Sequence, residues 1–323
     1  MVLFEKFHSR MRGACPVIEV PFDAAGRVDN SSFDRLVGHV LAKGVGAAVF
    51  PAFASEFYKL SDAERFALRR RFLEQVHAHA GVLAVVGVSQ HATVLAVKEA
   101  VAAAEEGAAA INLLPPHFLR PPRSEVLGHL RAVLAAVPGL PVIIQHVPAL
   151  AASPLEAKDL CALAGDHPNL RMVKVETQPP GPLISDLASG HPPLPAMVGY
   201  AGMMMIDALR RGAVGVQPGC SFIEIYQRIV ELWQAGKHEA AESLHRRLLP
   251  YVVYWMQDAE LIIQVEKTIS RARGLIDNDH CRAPGRVLDG EERAGVERFL
   301  SEFREFFEGG GPDVPRRVRV ERL

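Results

Sequence analysis

The sequence predicts an α/β fold: a (β/α)8 barrel followed by a C-terminal helical extension. Short runs of about four to seven apolar, β-branched-rich residues alternate with longer amphipathic stretches over more than half the chain, as expected for buried parallel strands joined by crossover helices. There are about eight such runs, the number that closes a barrel. After Phe222 the strand pattern stops and only helical stretches follow.

The expected strands are Ala14–Val20, Ala47–Pro51, Leu83–Val88, Ala109–Leu114, Pro141–His146, Leu170–Val175, Ala196–Gly199 and Val214–Pro218. Two of the intervening helices carry a start signal. Ser61-Asp62-Ala63-Glu64 and Ser153-Pro154-Leu155-Glu156 each fit a capping box, in which the serine takes the third-residue amide and the glutamate reaches back. Gly44, Gly107 and Gly212 are expected to end helices and turn the chain into the next strand. The extension is expected as Ile223–Ala235, His238–Gln257, Ala259–Gly274 and Gly290–Glu308. These elements divide the chain into a barrel (1–222), a helical extension packed on it (223–308) and a flexible tail (309–323), where Gly309-Gly310-Gly311-Pro312 breaks any helix.

Composition narrows the partners. With 323 residues, 49% of them hydrophobic, the chain can bury a large core, and a formal net charge of −1 argues against a generalised basic surface for nucleic acid or anionic membrane. The Ala/Val-rich stretch near Leu95 is interrupted by Lys98, Glu99, Glu105 and Glu106, so no segment approaches the roughly 20 apolar residues of a membrane helix. Cys15, Cys161, Cys220 and Cys281 lie far apart, with no CxxC pair and no secretory leader before them. A reduced, cytoplasmic protein without a cysteine metal site is expected.

In a barrel of this kind chemistry sits where the strands end. That directs attention to Glu19; Ser55 and Glu56; Ser89, Gln90 and His91; His117; Gln145 and His146; Lys174 and Glu176; Tyr200; and Gln217, Cys220 and Ser221. Lys174 carries the most weight, because in Arg171-Met172-Val173-Lys174-Val175-Glu176 it interrupts a run that should be buried. Burying an ammonium is costly unless it is paired or loses its proton, and a neutral lysine attacks carbonyls. A structural ion pair with Glu56 or Glu176, or a lysine that snorkels to solvent, is the plainer alternative.

Several landmarks now agree in order and spacing: Pro21-Phe22-Asp23-Ala24-Ala25-Gly26; Ser55-Glu56 followed by Leu60-Ser61 and Glu64-Arg65; Pro115-Pro116-His117-Phe118; Val147-Pro148; Val173-Lys174-Val175-Glu176; and Gly212-Ala213-Val214-Gly215-Val216. Together they resemble the dihydrodipicolinate synthase/N-acetylneuraminate lyase superfamily of class I aldolases and dehydratases over roughly residues 11–285. The resemblance puts Lys174 where that superfamily has its Schiff-base lysine. It implies a lyase acting on a small 2-oxo acid without a cofactor, in a homodimer or homotetramer.

The departures matter as much. The superfamily's Gly-Thr-Thr-Gly-Glu loop is here Ala52-Phe53-Ala54-Ser55-Glu56, the tyrosine ending the fifth strand is Gln145, the relayed tyrosine matches Phe118, and the arginine after Val-Pro matches Leu150. Gln145-His146 with Lys174-Val175-Glu176-Thr177 looks most like the branch containing 2-keto-3-deoxy-L-arabonate dehydratase. The expected reaction is dehydration of a 2-keto-3-deoxy sugar acid or a less polar analogue, with aldol chemistry on pyruvate or a related acid as the alternative.

Because an imine at Lys174 labilises a proton at C3, a base must replace the missing tyrosines. Glu56, Glu176, His117, His146 or a water held by Ser55 and Gln145 could serve; His146 or Glu56 is expected to transfer the proton, Gln145 and Ser55 to orient, and Phe53, Ala54, His117, Glu176, Tyr200 and Gln217 to line the substrate site. Two other classes stay open: a metal enzyme built on His91, His117, His146 and Glu56, though no HxH or HExxH spacing supports it, and a non-catalytic ligand-binding homologue.

Overall fold

The computed structural model describes residues 2–117, 119, 121–150 and 155–307. Helix α1 (Val2–Arg10) precedes the barrel, whose elements run β1 (Gly13–Ala14), α2 (Asn30–Ala42), β2 (Ala47–Phe50), α3 (Asp62–His77), β3 (Leu83–Val88), α4 (Thr93–Glu105), β4 (Ala110–Leu113), α5 (Arg123–Ala136), β5 (Val142–His146), α6 (Ala157–Asp166), β6 (Leu170–Val175), α7 (Gly181–Ser189), β7 (Ala196–Val198), α8 (Met205–Arg210) and β8 (Gly215–Val216). They are followed by α9 (Ile223–Gln234), α10 (His238–Trp255), α11 (Ala259–Ala272), α12 (Gly290–Glu302) and α13 (Arg304–Phe307). All eight strands are parallel in the order β1-β8-β7-β6-β5-β4-β3-β2. The ring closes at Val17, which bridges both Val49 and Gly219. The fold is therefore the expected (β/α)8 barrel with C-terminal helices.

The expected first strand, Ala14–Val20, is regular only over Gly13–Ala14. Pro16 has no N–H to continue a ladder, and the chain beyond it is held by single bonds, Val17 N to the Pro218 carbonyl (2.8 Å) and Ile18 N to the Val49 carbonyl (2.9 Å). The Ser61 capping box is present: Glu64 N donates to Ser61 Oγ (3.3 Å) and Ser61 N to Glu64 Oε2 (2.9 Å). The other expected box differs. Ser153 lies outside the described residues, and α6 starts at Ala157, where the Asp159 carboxylate accepts from the Glu156 amide at 2.8 Å. Gly44, Gly107 and Gly212 do follow helices with positive φ.

Side chains alternate across each strand. Val49, Val85, Ala110, Ile143, Met172 and Met197 fill the barrel with Phe7, within α1, and Met11, just beyond its end, both fully buried. Burying each such large apolar side chain stabilises the fold by about 2 kcal/mol. Residues of the other parity, such as Ile144, Val173, Val175 and Val198, face the helices. The helix after β8, α9, packs against β1. The extension docks through an aromatic cluster, with Phe222 5.1 Å from Phe299 and Trp255 5.2 Å from Phe299 between ring centres. The expected tail, 309–323, lies outside the described residues.

Two carboxyls are buried beyond the ends of β1 and β8: Glu19, in the segment after β1, and Glu266 of α11, which lies against Gly219. Loss of hydration, partly offset by Lys267, pushes Glu19 up to about 7, and burial with repulsion from Glu19 pushes Glu266 well above the carboxylate range. A raised acid pKa contributes stability that is complete below the unfolded value and is lost as pH rises from about 4.5 through about 7. For Glu19 that loss amounts to about 3 kcal/mol. Glu19→Gln is thus expected to melt with the parent at pH 4.5 and several degrees above it at pH 8; a melting difference that does not grow with pH would contradict this.

Candidate active site

Lys174 and Gln145 are direct neighbours across β5 and β6, and Lys174 faces Met197 of β7 on its other side. Both have the parity of Ile143 and Met172, so their side chains point into the barrel near its C-terminal end. A polar chain crosses that end. Asn112 Nδ2 donates to Gln145 Oε1 (2.8 Å), Gln145 Nε2 donates to Glu176 Oε2 (2.8 Å), and Lys174 Nζ lies 3.4 Å from Glu176 Oε1. The carboxylate end can only accept, which fixes the direction of both amides. All four side chains are buried.

Glu176 folds over the mouth because residue 199 is glycine. A Cβ there would lie 2.3 Å from Glu176 Oε1 and 2.4 Å from its Cγ. Tyr200 N also donates to Glu176 Oε1 (3.4 Å), from a backbone at φ 48°. Tyr200 is half-buried, and burial followed by the Glu176 charge raises its phenol above the usual range, so it stands protonated. Gln217, buried just beyond β8, has neither amide atom bonded among the described residues, and Asn112 Oδ1 is likewise unpartnered. Buried polar groups without partners are costly, so these atoms suit a bound polar ligand at the mouth.

The distal wall is less polar. Phe53 packs on Phe57 (5.5 Å) and edge-on to His117 (6.3 Å), and His117 meets His91 at 6.2 Å. Ala54 lies against the inner barrel cluster. Burial lowers the His117 pKa, so its ring is neutral near pH 7, with Nδ1 3.3 Å from the Pro115 carbonyl. Phe118 lies outside the described residues, as does the Leu150 side chain.

The two groups expected to transfer the proton are directed elsewhere. His146 pairs with Val175 in the ladder and so takes the opposite face of β5 from Gln145. It lines a cleft between helices with Leu155, Thr177 and Leu183, and burial lowers it to about 4. Both Glu56 oxygens are held by lysines, Oε1 by Lys267 and Oε2 by Lys59 at 3.0 Å. Ser55, expected to orient substrate, donates its hydroxyl to the Ile18 carbonyl and accepts from Ala52 N at 3.0 Å. It ties the loop to the segment that follows β1. His91, His117, His146 and Glu56 do not converge as a metal set, and among the described residues no group of three or more His, Cys, Asp or Glu is placed to hold an ion.

Asn112 is the site residue that sequence reasoning missed. Its signal was present, since it interrupts the apolar run of β4 as Lys174 interrupts β6.

The sequence profile of the dihydrodipicolinate synthetase family matches residues 10–303. The L-2-keto-3-deoxyarabonate dehydratase of Azospirillum brasilense is 26% identical over 290 residues, spanning 88% of this chain and 92% of that protein. A 4-hydroxy-tetrahydrodipicolinate synthase of Stenotrophomonas maltophilia is 30% identical over 247 residues, 75% of this chain and 80% of that one. The crystal structure of dihydrodipicolinate synthase from Rhodopseudomonas palustris superposes with a TM-score of 0.82 at 26% identity, covering 90% of this chain and 97% of that chain. The profile match over nearly the whole barrel and extension shows that this chain belongs to the dihydrodipicolinate synthetase family, and it is an enzyme of the lyase class.

Proposed function

We propose that the chain is a Schiff-base dehydratase of a 2-keto-3-deoxy sugar acid or a less polar 2-oxo analogue. The observation that carries this reading is the buried pair of Lys174 and Glu176 at 3.4 Å, braced by Gln145. Lys174 Nζ adds to the C2 ketone and water leaves, giving a protonated imine. Glu176, rather than His146 or Glu56, removes a C3 proton, and the electron pair left on C3 expels the C4 hydroxyl. The same carboxyl protonates that hydroxyl as it departs as water, and hydrolysis of the imine returns the lysine. Gln145 orients Glu176, and Asn112 fixes Gln145.

Gln217 and the free side of Asn112 supply polar contacts, while Phe53, Ala54 and His117 bound the distal end. The similarity to a protein named L-2-keto-3-deoxyarabonate dehydratase supports dehydration. A homo-oligomer, dimer or tetramer, belongs to the same reading, supported by Leu119, 75% exposed two residues after His117. No helix among the described residues is long and apolar enough to cross a membrane, and a cytoplasmic enzyme is part of the proposal.

Product analysis tests the reaction. Incubation with a panel of 2-keto-3-deoxy acids is expected to give a product lighter by one water, with no aldehyde fragment. Release of pyruvate and an aldehyde would establish aldol cleavage instead, which uses the same imine.

A further inference from the structure

The loop after β2 is held from behind by the helical extension. Phe53–Ser55 and Phe57–Lys59 are two short turns that meet at Glu56, whose φ of 50° is left-handed. A non-glycine residue there is strained by about 1–2 kcal/mol and persists only where its surroundings impose it. Glu56 is fully buried, and so is Lys267 of α11, which bonds it. Lys267 Nζ also donates to the His280 carbonyl (3.2 Å) and lies 4.4 Å from the centre of the Phe22 ring. Lys59 continues to Glu260, near the start of α11, at 2.7 Å, and Tyr58 Oη donates to the same carboxylate at 2.6 Å. Three loop residues are thereby tied to two residues of one helix outside the barrel. The other side of the loop is the mouth of the site: Ala54 lies on the inner cluster, Phe53 on His117, and Ser55 bonds Ile18.

We propose that Lys267, in the C-terminal extension, is a positioning residue for the active site. By clamping Glu56 in its left-handed conformation it fixes the Phe53–Ser55 turn that shapes the distal wall. A buried ion pair is a poor source of net stability, because desolvation offsets most of the attraction, whereas removing one partner strands the other. The pair's consequence here is therefore geometric. The inference rests on Lys174 being the reactive lysine, since the wall matters only for a substrate bound there.

The test uses the full chain as Lys267→Met, Glu56→Gln and the double variant, with L-2-keto-3-deoxyarabonate, whose chain extends beyond C3 toward the distal wall, and borohydride as the probe. Lys267→Met is expected to raise the half-saturating concentration of that acid for trapping roughly tenfold or more, with a smaller change in the limiting rate. Amide hydrogen exchange of the 52–60 segment is expected to accelerate in the same variant. Lys267→Met/Glu56→Gln, which leaves no stranded charge, is expected to fold and recover part of the affinity while keeping faster exchange than the parent. If Lys267→Met does not fold, the double variant decides: parental exchange and parental half-saturation in it would overturn the inference. So would parental values in a folded Lys267→Met. Absence of an adduct in the parent would count against the Lys174 reading alone, and the exchange measurement would still decide the role of Lys267.

Discussion

Lys174→Arg is expected to abolish turnover, with a loss of roughly 10⁴-fold or more, while the protein stays folded. The substitution separates the two roles a lysine can have at this point of β6. A guanidinium keeps a positive charge beside Glu176 and so preserves an ion pair, but it does not condense with a ketone. If Lys174 served only to pair with Glu176 across their 3.4 Å separation, the arginine variant would retain much of its activity. Glu176 remains served by Gln145 and the Tyr200 amide in either case, so loss of activity would not reflect a stranded carboxylate. Near-parental melting together with absent turnover is the expected pair of readings.

Glu176→Gln is expected to lower turnover by about 10²- to 10⁴-fold, the range of a positioned acid–base group, and to leave imine formation intact. Solvent deuterium provides the specific readout. The parent enzyme is expected to exchange the methyl protons of pyruvate, and Glu176→Gln to form the pyruvate adduct without that exchange. Exchange that survives in Glu176→Gln but disappears in Glu56→Gln or in His146→Gln would return the proton to the groups the sequence favours. The geometry argues otherwise, because His146 has the parity of the helix-facing side of β5 and Glu56 is held by Lys267 and Lys59.

The contrast between these residues shows how much of the site the sequence carries. Apolar runs fixed by period and composition locate six of the strands to within one residue at either end, since burial inside a ring of helices leaves little choice of residue, while the expected Val214–Pro218 runs two residues past β8. The eighth expectation, Ala14–Val20, overreaches because a run of apolar residues does not register that Pro16 lacks a donor. Lys174 is legible for the same reason as the strands: one charged residue in a buried run demands an explanation. Asn112 obeys that logic less visibly, because an amide is a weaker anomaly in an apolar run than an ammonium. The parity of β5 was also available, since adjacent residues cannot both face the barrel and Gln145 already occupies the inner side. What no local pattern contains is the partner of Glu56. Lys267 lies 211 residues away in a different layer of the fold, and only packing brings the two together.

The central claim is that Lys174 forms the imine. Borohydride reduction in the presence of pyruvate and a panel of 2-keto-3-deoxy acids, followed by peptide mass mapping, tests it most directly. A single reduced adduct is expected on the peptide containing Lys174 and none in Lys174→Arg. No adduct with any 2-oxo acid, or an adduct on a different lysine, would contradict it.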